Sequence, residues 1–151
     1  MSRHLFVIEG TDGSGKSTQA ALTARALQQN GVDFTRLTFP RYQEESSALL
    51  RMYLRGDFGS QPGDVNPYAA STFFAVDRYA SFKTGWQRDW EAGKLIFCDR
   101  YTTSNAVHQS SKLPEGELEP FTRWLFDYEY NLLGLPAPTC VVFLDLPPEV
   151  S

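Results

Sequence analysis

The chain has 151 residues, and its 14 lysines and arginines against 18 aspartates and glutamates give a formal net charge of −4 with both histidines neutral. Hydrophobic residues make up 42% of the chain, which is enough to build one core and argues against intrinsic disorder. The sequence has no block of Lys and Arg, and surfaces that bind nucleic acid or anionic membranes need such clusters to neutralise phosphates. We therefore expect no nucleic-acid or membrane partner, and an anionic ligand must be bound by a local site.

The N-terminal segment and the cysteines bear on cellular location. The apolar run from Leu5 to Ile8 is too short for the core of a signal peptide, and no stretch of the chain approaches the length of a membrane span. These features predict a cytoplasmic protein. Cys98 and Cys140 each lie in an apolar or β-branched run without a CxxC motif, which predicts two thiols in the core rather than a disulfide or a zinc site.

The first half of the chain alternates apolar strands with helices. The hydrophobic pattern predicts strands over residues 4–9 and 33–39, with a helix over residues 17–30 between them. A second helix is predicted over residues 44–55, and a loop rich in glycine and proline follows it up to Pro67.

The second half continues the same alternation. Pro67 suits the first turn of a long helix, which we expect to run to about residue 92. Strands are predicted over residues 94–99 and 139–146. Between them we expect a loop or broken helix, then a helix from about residue 117 to 133 that ends before Gly134.

These elements predict the fold class. Strands that are apolar throughout, rather than alternately polar and apolar, are typical of a parallel sheet that helices cover on both faces. We expect an open α/β sheet in one domain spanning residues 1–151.

A phosphate-binding motif lies between the first predicted strand and the first predicted helix. Residues 10–17, GTDGSGKS, fit the pattern G-x-x-x-x-G-K-[ST], whose glycines let backbone amides cradle a polyphosphate at a helix N-terminus. In this motif Lys16 neutralises the β and γ phosphate oxygens and the Ser17 hydroxyl binds Mg²⁺. The alternative is a flexible turn into a helix. The predicted ATP-binding residues are Gly10, Thr11, Asp12, Gly13, Ser14, Gly15, Lys16, Ser17 and Thr18.

Three further segments indicate a second substrate. The segments are FPRY at residues 39–42, FAVDR at 74–78 and DRY at 99–101. In an open parallel sheet, ligands bind beyond the carboxyl ends of the strands, where the first and third segments are predicted to lie. Phe74 and Arg78 are four residues apart on one helix, so they present a flat ring and a fork of donors side by side, which suits a pyrimidine. The alternative is a core phenylalanine beside a surface arginine that pairs with an acid.

Asp99 and Arg100 also carry two interpretations. A carboxylate at the end of a central strand can hold Mg²⁺, and an adjacent arginine can bind a transferring phosphate. The alternative is a buried ion pair that closes the end of the strand.

In several motifs, the chain resembles the thymidylate kinases, which are nucleoside monophosphate kinases with a P-loop fold. The resemblance runs from EGTDGSGKST through FPRY, FFAVDRYA and DRYTTSNAVHQ to LGLPAPTCVVFLDLPPE. It implies transfer of the γ-phosphoryl group of Mg-ATP to dTMP, giving dTDP and ADP, with a possible homodimer. The alternatives are a kinase for another nucleotide or deoxynucleoside, or a nucleotide-binding fragment without activity.

The resemblance also implies roles for individual residues. It assigns catalysis to Lys16, Arg100 and Asp12, and metal binding to Ser17 and Asp99. It places Asp12 at the acceptor sugar, Phe39 and Arg41 at the acceptor sugar and phosphate with Tyr42 nearby, and Phe74 and Arg78 at the thymine. The other acceptor contacts it implies are Arg100 at phosphate, Ser104 and Asn105 at the thymine edge, and His108 where the family often has Tyr or Phe against a ribose 2′-hydroxyl.

One departure from the family concerns a catalytic arginine. One branch of the family carries this arginine inside the glycine-rich loop, but residues 12–15 contain none. The other branch supplies it from a lid after the fourth strand. We therefore expect a chain that is incomplete at its C-terminus relative to the family, without the final strand, the lid and the closing helices.

Overall fold

The computed structural model describes residues 2–11 and 13–145, and its backbone contacts divide the chain into two compact units. We call the first the sheet unit; it comprises Met1–Phe39, Gly85–Tyr101 and Pro136–Ser151. The second, the helical unit, comprises Pro40–Thr84 and Thr102–Leu135. The single domain predicted for residues 1–151 stays a prediction.

The sheet unit contains the four strands that the sequence predicted. They are β1 (Leu5–Gly10), β2 (Phe34–Thr38), β3 (Leu95–Asp99) and β4 (Cys140–Leu144). All three strand pairs are parallel, and the order is β2-β3-β1-β4. This confirms the predicted open parallel α/β sheet of the P-loop type.

Two helices of the sheet unit flank these strands in the chain: α1 (Lys16–Gln29) and α4 (Gln87–Glu91). Ala20 of α1 is fully buried and packs with Ile8 of β1 and Phe97 of β3. Because alanine is small, the backbone of α1 approaches the sheet closely at the end where the helix begins.

The helical unit is built from α2 (Ala48–Leu54), α3 (Pro67–Ser81), α5 (Thr102–Ser110) and α6 (Leu118–Phe126). Helix α3 starts where the sequence predicted, because the side chain of Asn66 accepts a hydrogen bond from the Ala69 amide and Pro67 occupies the first turn. Short 3₁₀ turns at Glu45–Ser47 and Glu115–Glu117 lead into α2 and α6.

The long helix predicted from residue 67 to 92 is divided. A π-helical turn at Phe82–Trp86 separates α3 from α4, and a second one at Asp127–Leu132 follows α6 within the predicted helix of residues 117–133. A π turn inserts a residue into the helical repeat, so the side chains that follow it point in a new direction. The hydrophobic period alone does not reveal such an insertion.

The cysteine prediction is right for one residue and wrong for the other. Cys98 of β3 is buried, whereas Cys140 is exposed, as are Val141, Val142 and Phe143 after it. Strand β4 is one of the two edge strands of the described sheet, with β1 on one side. An apolar run predicts burial, but burial requires another element packed on the faces of the strand, and successive residues of β4 are exposed on both faces. The predicted strand end at Leu146 lies outside the described residues.

Within residues 2–11 and 13–145, every helix is too short or too polar to cross a bilayer.

Among the described strands β4 pairs with β1 alone, and its apolar side chains are exposed. We expect self-association, because unpaired strand backbone beside apolar side chains pairs readily with another chain. We expect Val142→Lys to lower the mass measured by light scattering at high protein concentration, since an edge lysine opposes strand pairing. The matched control is Leu22→Lys, which places the same charge at an equally exposed site, 52% in both cases, on a helix. A monomeric wild type, or equal effects of both variants, would contradict this.

Candidate active site

The glycine-rich loop joins the carboxyl end of β1 to the first turn of α1. Gly13 and Gly15 have φ angles of 79° and 85°, in the left-handed region that glycine adopts without steric cost. The Ser14 amide donates to the Thr11 carbonyl at 3.1 Å and tightens the turn. Because α1 begins at Lys16, its positive N-terminus lies at this loop, as anion binding requires.

The loop and the end of β3 form one pocket. Its lining residues are Thr11, Gly13, Gly15, Lys16, Ser17, Thr18 and Arg100. Two other residues of the predicted ATP set, Gly10 and Ser14, lie against each other: a Cβ at Gly10 would stand 2.6 Å from the Ser14 hydroxyl oxygen. A side chain at Gly10 would therefore force the loop to shift. Asp12, the remaining member of that set, lies outside the described residues.

A buried ion pair crosses from the loop to β3. The Lys16 Nζ lies 2.5 Å from Asp99 Oδ1, and about 10% of each side chain is exposed. Parallel pairing places Ile8 of β1 beside Asp99 in the sheet, which brings the two charges to the same edge. The ion pair considered as the alternative for Asp99 is therefore present, and its cation comes from the phosphate-binding loop.

Arg100 has strained backbone. Its φ is 66°, and it is the one described non-glycine residue in the left-handed region. Such a conformation costs about 1 kcal/mol or more and is retained where surrounding structure imposes it. Here the Arg100 amide donates to the Ile8 carbonyl at 3.1 Å, and the next amide, Tyr101, donates to a Glu9 carboxylate oxygen at 3.3 Å. These bonds fix the position at which the Arg100 side chain lines the pocket.

Phe39 also belongs to the sheet unit. Its amide donates to the Asp99 carbonyl at 3.1 Å, and its ring lies 6.1 Å from that of Tyr101. Phe39 is 3% exposed and Tyr101 is fully buried. The structure therefore shows Phe39 as a packed residue at the end of β2.

In the helical unit, Arg41 is held by Asp77 of α3. The Asp77 carboxylate accepts from the Arg41 amide at 2.8 Å, from its Nε at 3.3 Å and from the Ser46 hydroxyl at 2.6 Å. Asp77 is 1% exposed as a side chain, whereas Arg41 is 25% exposed. The Arg41 guanidinium is therefore held by Asp77 and remains partly exposed to solvent. The neighbouring Tyr42 is exposed.

Phe74 and Arg78 share one face of α3 and differ in burial. Phe74 is half-buried, with its ring edge-on to Tyr53 at 6.3 Å. Arg78 is 3% exposed and makes two parallel bonds of 2.6 Å, from Nε and Nη2, to the carboxylate of Glu129. Arg78 is therefore not a surface residue, which excludes that part of the alternative interpretation. The other part, a pairing of Arg78 with an acid, is observed.

The sequence analysis assigns no site residue to the predicted helix of residues 117–133, and it therefore misses Glu129. A pattern in the sequence could have indicated it. Phe121, Leu125 and Glu129 follow each other at intervals of four residues, and all three are fully buried. A carboxylate on the apolar face of a helix requires a partner and is therefore a candidate for a specific role.

The remaining predicted residues lie on α5. Asn105 is 4% exposed and donates from Nδ2 to the Ser71 carbonyl at 3.3 Å. Its Oδ1 is buried and lacks a hydrogen-bond partner within the described residues. Ser104 is half-buried and His108 is exposed. The Asn105 oxygen is therefore an acceptor that a ligand donor could satisfy.

The fold and the loop together define a class of protein: a P-loop nucleotide-binding protein with a parallel α/β sheet. The sequence model of thymidylate kinases matches residues 8–151. The chain belongs to the thymidylate kinase family, which confirms the resemblance found in its motifs.

Individual relatives agree with this assignment. The thymidylate kinase of Mycobacterium tuberculosis is 33% identical over 150 residues, which cover 97% of this chain and 68% of the relative. A probable thymidylate kinase of Pyrococcus abyssi is 31% identical and is covered to 69%, and that of Caenorhabditis elegans is 30% identical and covered to 65%. The solved structure of a thymidylate kinase from Candida albicans matches with a TM-score of 0.72 at 26% identity, over 99% of this chain and 66% of that one.

These matches support the predicted enzyme class, an ATP-dependent nucleoside monophosphate kinase, and the alternatives are not favoured. The chain spans about two thirds of the length of these relatives.

The ion pair between Lys16 and Asp99 predicts a coupled effect on stability. We expect Lys16→Met to lower the free energy of unfolding by about 3 kcal/mol, because it leaves a buried carboxylate without its cation. The double variant Lys16→Met/Asp99→Asn should recover at least half of that loss. Urea denaturation of the two single variants and the double variant measures this coupling; strictly additive losses would show that the two charges do not interact.

Proposed function

We propose that this chain carries the nucleotide-binding residues of a dTMP kinase, which transfers the γ-phosphoryl group of ATP to the phosphate of dTMP. The observation that carries the proposal is the pocket in which the glycine-rich loop, Lys16 and Arg100 surround one space. Membership of the thymidylate kinase family supports dTMP as the acceptor.

ATP would bind at the loop through its phosphates. The backbone amides of the loop and of the first turn of α1 donate to phosphate oxygens, and the Lys16 ammonium adds a positive charge. Lys16 pairs with Asp99 at 2.5 Å, so an incoming phosphate competes with that carboxylate for the ammonium. Arg100 lines the same pocket and would stabilise negative charge on the phosphoryl group during its transfer.

The side chains near the loop suit a magnesium ion. Magnesium is typically bound by one or two protein oxygens together with phosphate oxygens and water. Ser17 presents a hydroxyl at the pocket and Asp99 a carboxylate beside Lys16, so these two residues would hold the ion, directly or through water. When bound, magnesium neutralises charge on the β and γ phosphates. Among the described residues no group of three or more His, Cys, Asp or Glu is suited to a metal, and the proposed mode needs none.

The acceptor would be recognised mainly by residues of the helical unit. Arg41, partly exposed and anchored by Asp77, would bind the phosphate of dTMP, with Tyr42 nearby. Phe74 and Arg78 would contact the thymine, together with Ser104 and Asn105. His108, exposed on α5, would lie at the sugar. The family resemblance also assigns Asp12 and Phe39 to the sugar.

The reaction needs positioning and charge stabilisation rather than a covalent intermediate. An oxygen of the dTMP phosphate attacks the γ-phosphorus, and the bond from that phosphorus to the oxygen bridging it to the β-phosphate breaks, which leaves ADP. We propose that this reaction takes place in the cytoplasm. We also propose that the protein forms a homodimer.

Replacement of the loop lysine tests the donor site. We expect Lys16→Met to weaken ATP binding about tenfold to a hundredfold, the value of one or two charged hydrogen bonds, while AMP binding changes little because AMP lacks the β and γ phosphates. Calorimetric titration with each nucleotide, below the melting temperature, measures both. Lys83→Met, at an exposed lysine outside the loop, is the control. Equal losses for ATP and AMP would refute the assignment of Lys16 to the outer phosphates.

Replacement of Arg41 tests the acceptor phosphate. We expect Arg41→Ala to weaken dTMP about tenfold or more and thymidine hardly at all, because only the nucleotide has a phosphate for the guanidinium. Arg55→Ala, an exposed arginine paired with Asp57, provides the control. If Arg41→Ala weakened thymidine as much as dTMP in equilibrium titrations, Arg41 would act on folding or on another part of the ligand.

A further inference from the structure

We infer that Glu129 is a positioning residue for base recognition: it sets the orientation in which Arg78 meets the acceptor base. The inference rests on the proposed function, in which Arg78 contacts thymine, and it adds a buried carboxylate from the π turn at Asp127–Leu132.

The geometry of the pair fixes the guanidinium. An arginine has five N–H donors in one rigid plane, and Glu129 takes two of them, Nε and one Nη2 hydrogen, at 2.6 Å each. Two parallel bonds determine both the plane and the rotation of that plane. The directions of all the other N–H groups of Arg78 are then determined as well.

Glu129 is itself held by a third element. The Thr102 hydroxyl donates to Glu129 Oε1 at 3.1 Å, and Thr102 begins α5, which also carries Ser104 and Asn105. The carboxylate therefore links α3, α5 and the π turn at Asp127–Leu132. Thr102 and Glu129 are both fully buried, so water does not compete for these bonds.

The charge balance suits an uncharged ligand group. Arg41, proposed for the phosphate, is 25% exposed and its Nε lies 3.3 Å from Asp77, so part of its guanidinium remains accessible to an anion. The side chains of Arg78 and Glu129 are 3% and 0% exposed, and they neutralise each other. Arg78 therefore provides hydrogen-bond donors in fixed directions, which suit the carbonyl acceptors of a neutral pyrimidine.

Hydrogen-bond donors in fixed directions also give selectivity for thymine over cytosine. Thymine has a carbonyl acceptor at position 4, where cytosine has an amino donor, and a guanidinium can only donate. A site whose donors are fixed rejects the wrong partner strongly, because a misplaced donor is left unpaired. A guanidinium free to rotate would lose much of this discrimination.

The test compares the affinities of dTMP and dCMP, measured by calorimetric titration, in the wild type and in Glu129→Gln. We expect the preference for dTMP to fall about tenfold, with ATP affinity unchanged. Loss of folding alone would weaken both deoxynucleotides equally and leave their ratio unchanged. Glu119→Gln, the same chemical change at an exposed position on α6, is the matched control and should keep the ratio of the wild type.

A second variant keeps the test valid if Glu129→Gln does not fold. Thr102→Val keeps both charges and nearly the same volume, but removes the hydroxyl that holds Glu129, so we expect a twofold to threefold loss of preference. An unchanged ratio in the folded variants, beside a reduced ratio in Arg78→Lys, overturns the role of Glu129 and leaves the proposed function standing. A wild type without preference for dTMP refutes the proposed function itself, and the inference with it.

Discussion

Parallel pairing of the strands is the constraint on which the rest of the site depends. Because every described strand pair is parallel, the carboxyl ends of β1, β2 and β3 lie along one edge of the sheet. The glycine-rich loop follows β1, Phe39 follows β2 and Arg100 follows β3. The register that sets Ile8 beside Asp99 also allows Lys16, one loop further on, to reach the Asp99 carboxylate. The parallel sheet thus brings side chains from distant parts of the sequence to one edge.

A second regularity is that three of the cations proposed to touch a substrate pair with a carboxylate. The pairs are Lys16 with Asp99, Arg41 with Asp77, and Arg78 with Glu129. A buried ion pair contributes little net stability, since desolvation offsets much of the Coulomb attraction, but loss of one partner is costly. We interpret the carboxylates as orienting groups. In the proposed function, the pairs of Lys16 and Arg41 lie at phosphate groups, and the pair of Arg78 and Glu129 lies at the base.

The sequence predicted what is local and missed what depends on distant partners. The phosphate-binding loop was predictable because its motif occupies consecutive residues, and β1, β3 and β4 because their apolar runs are continuous. The partner of Arg78 lies 51 residues away and that of Arg41 lies 36 residues away, and no short-range pattern connects them. The two π turns were missed because the hydrophobic pattern stays helical on each side of one inserted residue. Cys140 was misplaced because burial of a strand residue depends on which elements pack on the faces of the strand, and the apolar run does not show this.

The central claim is that two different nucleotides bind at once, a donor at the glycine-rich loop and a dTMP acceptor at Arg41 and Arg78. Direct phosphoryl transfer requires this ternary complex, whereas a simple nucleotide-binding module has one site. The most direct measurement is calorimetric titration of dTMP into the chain already saturated with a non-hydrolysable ATP analogue and magnesium. The account predicts that one dTMP binds per chain while the analogue stays bound. Displacement of the analogue by dTMP, or no binding of dTMP, would contradict it.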